Sequence, residues 1–332
     1  MRVSYTAGAF IFPNAGMVIC LGDLVVDLIS REPGKPLWAV ETFGKHLGGS
    51  PANVAIGLRA HGVPVTLWSK VGADAGGRFL RERLRRYGLA GGVRVDPALP
   101  TKHALIGLDA HGDRTWEMLN PDSAYEHITR DDVDPAALRT ARVLHVGGAA
   151  LVGAVTARTV LVLAAEARAH GCLVSFDPNL IVGDAPERPA ILARLDALLP
   201  HVDLLKMSAD DWRDLLGDAD PAEVLARGVS LVIRTDGARG AHFHTPRHDV
   251  FVAAEPVDVV DATGAGDAFT ATVLAALVRT PPAPLAETPA ETLRAWGRAA
   301  SAWARRMLER PGAVGGYPAP GGEPDAEGRI SP

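Results

Sequence analysis

The sequence predicts an α/β fold, a mostly parallel sheet covered by helices on both faces. Three observations predict it. Short apolar runs alternate with helix-like stretches from residue 17 to about residue 310. The runs are continuously apolar rather than alternating, as strands buried on both faces are. Each run also ends in glycine or polar residues, and parallel sheets bind ligands beyond the carboxyl ends of their strands.

Met17 to Ser30 (MVICLGDLVVDLIS) reads as the first strand and carries Asp23 and Asp27. Ser50 to Gly62 reads as a helix, with Ser50 placed to cap it, Pro51 in its first turn and Gly62 just past its end. Residues 65–72 form a strand and 75–88 an amphipathic helix, on which Arg81, Arg83, Arg85 and Arg86 make a solvated face. ARVLHVGG, CLVSFDPN, DLLKMS and SLVIRTDG are further strands, most preceded by helical stretches such as 155–170 and 187–199. Residues 101–119 break the rhythm as two strands about a turn at Ala110–Asp113. With the irregular segment 33–47 they are expected to form a small antiparallel flap over the site. Residues 1–16 read as a loose extension, with Met17 as an alternative start. The Pro/Gly-rich stretch 315–332 reads as a disordered tail.

Composition narrows the function. The chain has 332 residues, 47% of them hydrophobic and 22% charged, as expected of a soluble globular enzyme. A net charge of −5 without a basic stripe argues against nucleic acid as a partner. No uncharged apolar run reaches the roughly 18 residues that a membrane span needs. Cys20 and Cys172 sit in apolar runs far apart and read as buried thiols in a reducing cytoplasm. The eleven histidines are scattered, without the spacing of a metal site.

The chemistry concentrates in two stretches. In VVDATGAGDAFTATVLAAL (259–277), Gly264, Ala265 and Gly266 form a turn that opens directly into an apolar helix. Backbone N–H groups of such a turn approach an anion closely, and the helix end adds positive potential. Asp267 follows in the first turn, placed to take a proton from an attacking hydroxyl while the turn stabilises a phosphoryl group in flight. In HLGGSPANVAIGLRAHG (46–62), Gly48 and Gly49 precede a helix with Asn53 one turn inside, a set suited to sugar hydroxyls. Either stretch taken alone also reads as a plain strand-to-helix turn.

Together the two stretches resemble the two signatures of the ribokinase-like (PfkB) carbohydrate kinases. LGDLVVDLI, FDPNLI (176–181), LLKMSADDWRDLLG (204–217) and IRTDGARGAHF (233–243) follow in the family's order, so the resemblance covers residues 17–314. NPDSA (120–124) and DPN (177–179) make bacterial fructokinases the most similar branch, with 2-keto-3-deoxygluconate kinases next. The resemblance implies a three-layer α/β/α sandwich with a small β lid over segments 33–47 and 101–119, closing on the sugar to exclude water. It implies Asp267 as general base and Gly264, Ala265 and Gly266 as the anion hole. Asp27, Gly48, Gly49 and Asn53 become sugar ligands, although Asp27 also reads as a strand-end cap. Thr235, Gly237 and Gly240 match a T-x-G-x-x-G loop beside the nucleotide. Asn179, Lys206 and Ser208 are expected on the cofactor side and Asp211 at the metal. ATP and Mg²⁺ are implied as cofactors, a monovalent cation as an option, and a homodimer through the lid as an assembly.

Departures from the family pattern are informative. Asp261-Ala262-Thr263 replaces Asp-Thr-Thr, Ser208-x-x-Asp211 replaces Asn-x-x-Glu, and Ile181 stands where fructokinase-like sequences often carry Arg. The leading expectation is an ATP-dependent kinase of a small sugar, cytoplasmic. A nucleoside kinase of the same fold stays open through Trp116, which with Trp38 packs on a sugar, joins two lids or enters the core. His103 and Arg114 are flap residues within reach of substrate. A non-catalytic sugar sensor would be expected to lose the base, which is present. A dinucleotide oxidoreductase is excluded because no G-x-G-x-x-G follows the first strand.

Overall fold

The computed structural model describes residues 16–108, 114–120, 122–180, 182–310 and 312–317. The turn expected at Ala110–Asp113, Ile181, and most of the expected extension and tail lie outside the described residues. In chain order the strands are β1 (Met17–Gly22), β2 (Val25–Ser30), β3 (Phe43–Gly48), β4 (Val65–Gly72), β5 (Val93–Asp96), β6 (Lys102–Leu108) and β7 (Arg114–Leu119). They continue as β8 (Ala141–Gly147), β9 (Leu173–Asp177), β10 (Leu204–Ser208), β11 (Leu231–Thr235), β12 (Gly240–His244) and β13 (Asp249–Ala253). The helices are α1 (Ser50–Ala60), α2 (Ala75–Arg86), α3 (Ala154–Ala169), α4 (Arg188–Leu198), α5 (Ala209–Leu216), α6 (Pro221–Ala226), α7 (Ala265–Arg279) and α8 (Ala290–Leu308).

The main sheet runs β13-β12-β11-β10-β9-β8-β1-β4-β5. Its strands are parallel from β11 to β5, and β12 and β13 add an antiparallel edge. The two faces of β1 show why its run is apolar throughout. Val18 and Cys20 pack into a core with α1, α2, α7 and α8, while Ile19 and Leu21 pack into a second core with α3 to α6. This is the expected three-layer α/β/α sandwich. Both cysteines are buried free thiols, and burial pushes the Cys172 thiol up to about 12. Among the described residues no helix is long and apolar enough to cross a membrane.

Several local expectations are corrected. Met17 to Ser30 is two strands in two sheets: β1 stops at Gly22, and β2 leaves for a smaller sheet ordered β3-β2-β6-β7. That smaller sheet is mixed rather than antiparallel, because β2 pairs parallel with β6. Ser50 does not cap α1. Gly49, at φ +106°, holds the cap position and makes no side-chain bond, and the Ser50 hydroxyl is used elsewhere. Trp38 and Trp116 lie outside the core on or beside the small sheet, 89% and 52% exposed. Packing also continues past residue 314, since Tyr317 is buried and its ring tilts against Trp303.

Candidate active site

The carboxyl ends of the adjacent parallel strands place the polar residues along one rim. Asp177 ends β9, Ser208 ends β10, Thr235 ends β11, and Asp23 follows β1 directly. The turn into α7 meets this rim. Gly264 enters the helix in the left-handed region at φ +75°, and a Cβ there would sit 2.1 Å from the Ala313 carbonyl oxygen. Only glycine fits both demands. The first helical bond runs from the Ala268 N–H to the Gly264 oxygen at 2.8 Å. The amides of Ala265, Gly266 and Asp267 therefore have no partner within the helix, which makes the turn receptive to an anion.

Asp267 is buried in the first turn of α7, and both of its carboxylate oxygens are held. Ser50 Oγ donates to Oδ1 at 2.6 Å and Asn53 Nδ2 donates to Oδ2 at 2.8 Å. Burial raises its carboxyl above the ordinary carboxylate range, while the Ser50 and Asn53 bonds pull it back toward the ionised form. Asn53 Oδ1 is buried without a partner among the described residues. The same amide thus steadies the carboxylate with one atom and keeps an acceptor open with the other.

Asp27 lies on β2 against Gly48 of β3, where a Cβ on Gly48 would meet the Asp27 Oδ2 at 2.2 Å. The missing side chain of Gly48 is what lets this carboxylate lie there. Asp23, buried beside it, has Oδ1 without a hydrogen-bond partner among the described residues. Burial first, and then the neighbouring Asp267 and Asp27 charges, raise its carboxyl to about 7. Asp27 and Asp267 thus lie close enough for both charges to act on the Asp23 carboxyl.

On the opposite side Lys206 Nζ pairs with Asp177 Oδ2 at 3.0 Å, and Thr270 of α7 donates to the same oxygen at 3.0 Å. Burial works to strip the Lys206 proton, but the Asp177 carboxylate outweighs it and holds the ammonium charged. That ammonium sits 3.2 Å from where a Cβ on Gly266 would lie, at the mouth of the turn. Ser208 and Asp211 bond each other as the cap of α5, Ser208 Oγ donating at 2.7 Å and accepting from the Asp211 N–H at 3.0 Å. Burial raises the Asp211 carboxyl. Asp177 Oδ1 is buried without a partner among the described residues, and with the Asp211 carboxylate, on which its charge acts beside that of Lys206, it offers oxygen ligands of the kind a hard divalent cation takes. Asn179 is exposed in the left-handed region at φ 42°. Gly237 and Gly240 bound a turn in which the Asp236 N–H donates to the Gly240 oxygen at 2.8 Å.

A model of pfkB family carbohydrate kinases matches residues 15–320. The chain belongs to that family. It is an ATP-dependent sugar kinase, and its fold is that of one. The kinase is 33% identical over 269 residues to a fructokinase of Klebsiella pneumoniae, covering 79% of this chain and 84% of the relative. Among solved structures, fructokinase from Xylella fastidiosa with bound ATP superposes with a TM-score of 0.80 at 25% identity, covering 92% and 95% of the two chains. Fructokinase from Vibrio cholerae O395, bound to fructose, ADP and calcium, does so with a TM-score of 0.79 at 27% identity, covering 92% and 96%.

The fold of the kinase sets Gly48 against Asp27 and Asn53 against Asp267, with Asp23 within electrostatic reach of both carboxylates, and Gly264, Ala265 and Gly266 lead directly into Asp267. Lys206 reaches the same turn, whereas Ser208 and Asp211 spend their hydrogen bonds on each other. His103 bonds the Thr101 carbonyl oxygen through Nδ1 at 3.0 Å. Ser50, Asp23, Asp177 and Thr270 were not anticipated as site residues. Asp177 heads the DPN run, and its place as the last residue of a parallel strand was the available signal. Nothing local marks the role of Ser50, whose partner is 217 positions away.

Proposed function

We propose that the kinase transfers the γ-phosphoryl group of ATP to a hydroxyl of a small keto or furanose sugar, as a fructokinase would. The observation that carries this reading is the buried Asp267, held by Ser50 and Asn53 at the mouth of a turn whose amides have no partner within the helix. An ionised Asp267 has lone pairs beyond those two bonds and accepts the proton as the sugar oxygen attacks phosphorus. Asp27 and Asn53 Oδ1 accept from neighbouring hydroxyls and set which one faces the base. The amides of the turn and Lys206 stabilise the charge carried by the transferring group, which is most of what phosphoryl transfer requires. Asp211 would hold Mg²⁺, whose charge offsets that of the phosphates. The Thr235–Gly240 turn and Asn179 complete the nucleotide side. The small sheet acts as the lid, and its exposed Trp116 and Met118 offer an apolar face that a second copy of the chain would cover. A cytoplasmic location fits two buried thiols and an ATP-dependent reaction.

One observation favours a second reading, a nucleoside as acceptor. A cavity of about 610 Å³ has Tyr125, on which the Asp23 charge acts, in its wall, together with Lys102, Glu126, Ala149, Val152 and Leu180. That volume falls within the roughly 300–1,000 Å³ of sites for drug-sized ligands, enough to take a base attached to the sugar. An ADP-release assay with Mg-ATP against ketohexoses, 2-keto-3-deoxygluconate and nucleosides decides between the readings, run beside Asp267→Asn. Turnover of a ketohexose that falls at least about a hundredfold in the variant supports the lead reading. Preference for nucleosides replaces it with the second, and undiminished turnover in the variant refutes the base. Sugar binding without turnover would make the chain a sensor.

A further inference from the structure

The antiparallel edge hairpin carries a cluster that phosphoryl transfer does not use. His242 and His244 alternate on β12, so the strand's two-residue period puts both imidazoles on one face. Asp249, the first residue of β13, is the register partner of His244 and brings its carboxylate to the same face. In sequence these histidines are two of eleven without metal spacing; the fold supplies the missing third ligand from the neighbouring strand.

The geometry points to a binding site for a borderline divalent transition ion, Zn²⁺ in kind, formed by His242, His244 and Asp249. One nitrogen or oxygen from each residue lies within 4.8 Å of the others. Nδ1 of His244 is 3.4 Å and Nδ1 of His242 3.7 Å from the same Asp249 Oδ1. Zinc bonds of about 2.0–2.1 Å put ligand atoms about 3.4 Å apart along a tetrahedral edge, close to both of these separations. The imidazole rings stack, with centroids 5.7 Å apart and planes at 5°, so one ring must turn to aim its in-plane lone pair at a shared ion; Phe251 packs on the His242 ring at 4.7 Å. The nearest cation on the neighbouring strand, Arg234, spreads its guanidinium over the Trp212 ring at 4.7 Å. Two imidazoles and one carboxylate favour zinc-like ions over the all-oxygen preference of Mg²⁺. The exposed sides of His242 and Asp249 leave the fourth position to water. Bound there, the ion staples β13, the outermost strand of the main sheet, to β12 beside the hairpin turn at Thr245–His248 that joins them.

The test uses the tag-free, full-length chain stripped with chelator and titrated with Co²⁺ and then Zn²⁺, in the presence of Mg²⁺. The expected result is one equivalent of Co²⁺ with the intense visible spectrum of a tetrahedral ion, displaced by Zn²⁺. Zn²⁺ should raise the melting temperature, since a ligand bound only by the folded state stabilises it. His242→Ala and Asp249→Asn, both at exposed positions, should weaken binding at least about tenfold and abolish the melting shift. Saturable binding that both variants retain, or no saturable binding by about 1 mM Zn²⁺, overturns the assignment, because a linkage effect needs ligand well above its dissociation constant.

Discussion

Ser50 Oγ donates a 2.6 Å hydrogen bond to Oδ1 of Asp267, joining the first turn of α1 to the first turn of α7. The bond opposes the burial that raises the Asp267 carboxyl. A general base must be ionised, so kcat/KM is expected to fall as pH drops, along a limb lying above the ordinary carboxylate value. Ser50→Ala leaves burial less opposed and should move that limb further toward neutral pH, with kcat about tenfold lower at the acid end. A pH–rate profile of the two proteins checks this. A limb unmoved by the substitution would mean that another group titrates.

Gly48→Ala should act on substrate binding. The new methyl would overlap the Asp27 carboxylate, 2.2 Å from Oδ2, and displace it from the pocket. KM for the sugar is expected to rise at least about tenfold, the cost of one charged hydrogen bond, while KM for ATP changes little. Equal effects on both substrates would place Asp27 outside the sugar subsite.

The pair Lys206–Asp177 separates structure from catalysis. Removing one partner strands the other as a buried charge, so Lys206→Met alone should cost about 3–5 kcal/mol by denaturant unfolding. Adding Asp177→Asn should recover much of that stability without recovering turnover, because the transferring phosphoryl group still lacks the ammonium. Recovery of both would reduce Lys206 to a structural role.

Asp23 predicts a slope of stability with pH. Its carboxyl is raised from 3.8 to about 7 in the folded protein. The folded state therefore holds this proton more tightly than the unfolded state does. The resulting stability is complete below the unfolded value and is lost as pH rises through about 7. Asp23→Asn keeps a neutral side chain at every pH, so its melting temperature should overtake that of the wild type between about pH 5 and pH 8. Parallel curves would show that Asp23 stays ionised throughout.

The architecture was legible where the pattern is physical and local. Strands buried on both faces must be apolar throughout, so Val18 to Leu21 could be read without a partner in view. The turn at Gly264 was legible only in combination with the Gly48–Asn53 stretch, since either taken alone also reads as a plain strand-to-helix turn. The break after Gly22 was not, since Leu24 to Val26 continue the same apolar character into another sheet. The parallel β2–β6 pair escaped because the local hairpin, β6 with β7, carries the only short-range signal. Ser50 looked like a cap because serine usually is one; at φ +106°, a backbone that favours glycine, Gly49 takes that position and leaves the hydroxyl to Asp267.

The anion turn is moulded by the last described residues. The Leu308 carbonyl oxygen accepts from the amides of Val260 and Asp261, Gly312 donates to Asp261 at 2.8 Å, and Ala313 walls the space over Gly264. During synthesis, then, every strand can leave the ribosome and pair while the phosphate-handling loop still lacks its mould. A nascent or prematurely terminated chain ending before Leu308 would carry the base and most of the sugar pocket yet hold no shaped place for the nucleotide's terminal phosphate. Such a chain is expected to turn over ATP far more slowly than one that includes residues 308–313.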